Sequence, residues 1–97
     1  MPRRKGTKIR VGPYVFRQRW VPRKLLDDQE VYALCDLEAR SILLADVVDH
    51  PRTIENLMHE VMEAIDAVYG LELEHSKIQT IGAAYAQAIG HLIKKWW

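Results

Sequence analysis

Ile54-Glu55-Asn56-Leu57-Met58-His59-Glu60-Val61-Met62-Glu63-Ala64-Ile65-Asp66-Ala67-Val68-Tyr69-Gly70 is the stretch that decides the fold. Its apolar residues fall at 54, 57, 58, 61, 62, 65, 68 and 69, the recurrence of an amphipathic helix. Gly70 then supplies the residue type that most readily takes the left-handed conformation closing a helix. Upstream, Asp49 stands two residues before Pro51, a start signal, because Asp caps free amides and Pro is tolerated in a first turn.

Beyond the linker Leu71 to Glu74, a second helix is expected from His75 or Ser76. Its apolar positions are Ile78, Ile81, Tyr85, Ala88, Ile89, Leu92 and Trp96, and the small residues Gly82, Ala83, Ala84 and Ala86 permit close approach to a neighbour. On the N-terminal side, Lys8 to Val21 alternates: Tyr14, Phe16 and Trp20 share one face, while Val15, Arg17, Arg19 and Val21 share the other. Period two with aromatics means strand, interrupted by a turn or bulge at Gly12-Pro13 and ended by Pro22. Arg23 to Glu30 reads as a charged loop. Val31 to Asp36 and Ser41 to Asp46 read as two strands joined through Leu37-Glu38-Ala39-Arg40. The expected fold is α+β, a small three-stranded antiparallel sheet packed against two helices. Residues 1 to 7 are expected to be a basic flexible tail, and 8 to 97 a single domain.

With 97 residues, 48% of them hydrophobic, the chain is sized for one core and is not a disordered composition. A single cysteine, Cys35, excludes an internal disulfide and fits a reducing, cytoplasmic setting. No apolar run approaches the roughly 18 residues of a membrane span, and no signal-peptide core follows the basic N-terminus. The net charge of +1 conceals a division: residues 1 to 24 hold nine Lys and Arg and no acid, whereas residues 25 to 97 hold five bases against thirteen acids. Such segregation either attracts phosphates at one end or folds a basic strand back over acidic helices.

The first helix carries His59-Glu60-Val61-Met62-Glu63. Residues four apart lie on nearly the same side of a helix, so the His59 imidazole and the Glu63 carboxylate are placed to grip one ion. In H-E-x-x-H proteins the Glu is the general base acting on zinc-bound water; here Glu60 holds that place, while Glu63 replaces the second histidine. The turn at Gly70 brings His75 within reach as a third ligand, and two imidazoles with one carboxylate are a set that hydrolytic zinc uses. His91 lies sixteen residues further along the second helix, roughly 24 Å away at 1.5 Å per residue. His50 precedes the first helix. The competing reading of His59 and Glu63 is an i, i+4 surface pair worth a few tenths of a kcal/mol.

The motif and the strands before it resemble the small zincin-like proteins of phages and prophages, predicted metallopeptidases of about this size. The resemblance spans roughly residues 8 to 93 and is carried by Ile9-Arg10-Val11-Gly12, by Ser41 to Asp46, by Thr53 to Ile65 and by Tyr69 to His75. It implies a minimal zincin-like fold, metal-ligand roles for His59 and Glu63, and a base role for Glu60; His75 as a ligand is an inference from proteins of this type that read H-E-x-x-E. The expected function is a zinc-binding protein with zinc-dependent hydrolase activity on a peptide bond, located in the cytoplasm of the host cell if phage-encoded. The alternative is a non-catalytic interaction protein that binds a host protein, or nucleic acid through Arg3, Arg4, Lys5, Lys8 and Arg10.

Overall fold

Alternation and periodicity become six regular elements and one 3-10 turn in the computed structural model, which describes residues 5–26, 32–46 and 52–94. They are β1 (Thr7–Val11), β2 (Tyr14–Val21), the 3-10 turn Arg23–Leu25, β3 (Ala33–Asp36), β4 (Ser41–Ala45), α1 (Thr53–Tyr69) and α2 (His75–Lys94). The α+β class holds, but the three-stranded antiparallel sheet is corrected. The sheet has four strands in the order β1-β2-β4-β3, and its central pair, β2 with β4, is parallel.

Two local causes explain the difference. Gly12-Pro13 does not bulge one long strand; it closes a hairpin in which Val11 pairs with Tyr14, and Gly12 takes a φ of 58° at the first loop position, as tight two-residue hairpins require. A side chain there would also press on Val68 and Tyr69 of α1. The chain then travels past the position of β4 before returning as β3, so β4 runs back antiparallel to β3 and in the direction of β2. Thr7, assigned to the tail from sequence, already pairs with Gln18 in β1.

One face of the sheet carries Val11, Phe16, Trp20, Ile42 and Leu44, which are buried together with Leu57 and Ala64 of α1. The same face includes Gln18, 2% exposed, whose side-chain nitrogen and oxygen have no hydrogen-bond partner among the described residues. A buried amide without partners loses its water contacts for no return. Gln18→Met, of similar length and apolar, is therefore expected to raise the unfolding free energy by about 1–2 kcal/mol. Chemical denaturation of the two proteins checks this, and a less stable variant would mean the amide has a partner in solution.

Helix α1 begins at Thr53 with Arg52 at the cap position and no side-chain cap; the Arg52 guanidinium instead bonds Glu55 at 3.2 Å. Asp49, His50 and Pro51 lie outside the described residues, as do Val31, Trp96 and Trp97. The helix ends as expected, with Gly70 left-handed and its N–H donating to the Asp66 carbonyl. Its apolar positions serve two neighbours. Leu57 and Ala64 face the sheet, while the flank of Ile54 and Met58 meets α2, where Gly90 packs on Ile54 and Gly82 lies against the backbone of Met58 and His59.

Candidate metal centre

Because the sheet and α2 divide its apolar surface, α1 is not oriented by one apolar stripe. The sheet-facing line runs through Leu57 and Ala64, which at 100° per residue lies only about 40–60° from the direction of Glu60. Glu60 consequently tucks against β3, where the Cys35 backbone N–H donates to its carboxylate. Burial, with the Glu63 charge adding to it, pushes the Glu60 pKa up to about 7, and the amide bond from Cys35 only partly opposes this. The Cys35 thiol is itself pushed up to about 12, by burial first and then by the charges of Glu60, Glu63 and Asp36. It stays protonated at neutral pH and is neither a nucleophile nor a thiolate ligand in this state.

His59 and Glu63, about 100° and 60° round from Glu60 on the side away from the sheet, emerge at the border between α1, α2 and solvent. The two side chains meet at 3.4 Å, His59 Nε2 to Glu63 Oε1. Across the turn, His75 Nδ1 reaches the same Glu63 oxygen at 3.5 Å, and the two imidazoles stand edge to face with centroids 5.0 Å apart. One ligand atom from each of the three residues lies within 4.8 Å of the others. An ion about 2.0–2.1 Å from nitrogen and oxygen donors sets tetrahedral neighbours about 3.3 Å apart, so the two contacts through Glu63 are already near that spacing. His75 is 70% exposed, leaving its ring free to complete the third edge and the solvent side open. His91 is exposed on α2 and stands outside this group.

The position of His75 depends on a residue that helical periodicity marks only as polar. Asp66 Oδ1 accepts a 2.9 Å hydrogen bond from the Leu73 N–H, and the Asp66 carbonyl accepts from Leu71 at 3.2 Å. Glu72 takes a left-handed φ of 55° between them. These ties bend Leu71–Glu74 back so that α2 starts beside Glu63. The signal in the sequence was faint: an Asp four residues before Gly70, at a helix end where acids oppose the dipole. Asp66→Ala is expected to cost about 1 kcal/mol of stability and to weaken zinc binding about fivefold, whereas Asp66→Asn, which keeps the acceptor, changes both little. Titration calorimetry of the two variants checks the pair.

The four residues singled out for chemistry thus occupy the middle of α1 and the start of α2, with Glu60 inward and His59, Glu63 and His75 outward. Among the described residues no helix is long and apolar enough to cross a membrane. No family model, no curated protein and no solved structure matches this chain.

Proposed function

We propose that the chain is a zinc-binding protein of zincin-like type that hydrolyses a peptide bond at the His59, Glu63 and His75 cluster. What carries the reading is the convergence of two imidazole nitrogens and one carboxylate oxygen within 4.8 Å, drawn from two helices across a tied turn. Zinc at these donors supplies a Lewis acid that makes water acidic near neutral pH. The protein's own contributions are separate and visible. His59 and Glu63 are held rigidly on one helix, and Gly82 against the His59 backbone fixes α2 beside them. Glu60, whose pKa burial raises in the metal-free chain, would take a proton from water and return it to a leaving amine. The Cys35 N–H orients that carboxylate by holding it.

Glu63 in place of a histidine would make the ligand set two imidazoles and one carboxylate, a combination that hydrolytic zinc uses, and its negative charge would raise the pKa of water held there relative to three imidazoles. Elemental analysis after zinc loading and gel filtration should find about one ion per chain, since three protein ligands with one open position define a single catalytic-type site. Retention of no zinc under these conditions would sink the reading.

A further inference from the structure

The face of the sheet turned away from the helices is chemically unlike the one that packs. Alternation along β1 and β2 directs Lys8, Arg10, Val15, Arg17 and Arg19 outward, and all five are exposed. The register sets Lys8 directly opposite Arg17 and Arg10 opposite Val15. Arg17 and Arg19, two apart on one strand face, stand about 6.6–6.8 Å from each other. Like charges facing each other across a ladder are destabilising. Among the described residues none of the four bases forms an ion pair. The carboxylates of α1 lie on the other side of the sheet, so folding does not lay the basic strands over the acidic helices; the sheet holds the two charges apart.

We propose that this face, through Lys8, Arg10, Arg17 and Arg19, binds the phosphate backbone of a nucleic-acid duplex. An exposed array of positive charge with no ion-pair partners among the described residues gains by exchanging bound counterions for phosphates. The duplex is favoured over a single strand because Phe16 and Trp20 of the same strand are buried on the opposite face, so no aromatic ring of β2 lies between Arg17 and Arg19 for unpaired bases to stack on. Binding is sequence-independent, since phosphates carry no sequence information directly. The proposal is independent of the metal centre on the far side of the sheet.

The test is fluorescence anisotropy with one labelled duplex as DNA and as RNA, and with the corresponding single strand. The wild-type protein should bind at least one duplex at about 50 mM salt and lose it steeply as salt rises. R17Q/R19Q should weaken binding at least tenfold and flatten the log–log salt slope by about 2, near 0.9 for each lost contact. R17K/R19K should retain the binding, and K77Q, on exposed α2, should not alter it. The two duplex arms decide between DNA and RNA. Failure of the wild type to bind either duplex overturns the proposal, as does stronger binding of the single strand. Binding undiminished in R17Q/R19Q but abolished in R3Q/R4Q/K5Q also overturns it, assigning the contact to the N-terminal segment, where Arg3 and Arg4 lie outside the described residues. Circular dichroism accompanies each variant; if the double Gln variant loses its fold, R17Q and R19Q are read singly.

Discussion

Glu60→Gln is expected to keep about one zinc per chain and to lower peptide hydrolysis by about 10²- to 10⁴-fold, the range that a positioned general base contributes. The amide has the shape of the carboxylate and makes no change to His59, Glu63 or His75, but it cannot accept a proton. The same variant has a second signature that does not depend on turnover. In the metal-free wild-type protein the Glu60 pKa is about 7, above the ordinary 4.5, so its burial favours the fold fully below about pH 4.5 and that contribution is lost as pH rises through 7. Gln carries no such dependence. Metal-free E60Q should therefore match the wild type near pH 4 and exceed it by about 1–2 kcal/mol at pH 8, after discounting for solvent screening. Denaturant titrations at the two pH values measure this. Equal hydrolysis by both proteins would remove Glu60 from the mechanism, while loss of zinc with activity would make it a ligand.

The other large effect is expected at His59. His59→Ala deletes the proposed ligand whose backbone is held on α1 against Gly82, and stoichiometric zinc should be lost with it. Because an ion that binds only the folded state stabilises it by mass action, zinc at about 100 times its dissociation constant should add about 2.7 kcal/mol to the wild type and nothing to the variant. Thermal melts with and without zinc read this directly. A melting temperature that responds to zinc equally in both proteins would place the ion elsewhere. His91→Ala serves as the comparison, since His91 is exposed and apart from the cluster, and it should bind and respond as the wild type does.

What the sequence disclosed follows the range over which each signal acts. The helices, the stop at Gly70 and the approach of His59, Glu63 and His75 are local, set by periodicity and one tight turn within seventeen residues. Sheet order is not local: Arg17 pairs with Ser41, and nothing in the alternation of either strand states its partner. Period-two reading also placed Tyr14, Phe16 and Trp20 together without marking Gln18, between them on that face, as buried. Tyr14 itself sits half-exposed beneath the Arg40 guanidinium, 4.1 Å from the ring centre, because it opens the strand at the hairpin. The inward turn of Glu60 was hidden for a related reason. A helix wheel records how many apolar positions there are but not how two neighbours share them.

Edge strand β3, through the single amide of Cys35, has a consequence for how the molecule comes apart. The three proposed ligands belong to one helical hairpin, whereas the group that orients Glu60 belongs to a four-residue strand paired on one side with β4. Short edge strands open locally at less than the full unfolding free energy. An excursion that lifts β3 alone leaves the His59, Glu63 and His75 cluster intact while hydrating the Glu60 carboxylate and returning it toward an ordinary acid. Amide exchange should accordingly show Cys35 opening ahead of the α1 interior, with the rate of hydrolysis following the closed fraction of that strand and zinc retention indifferent to it.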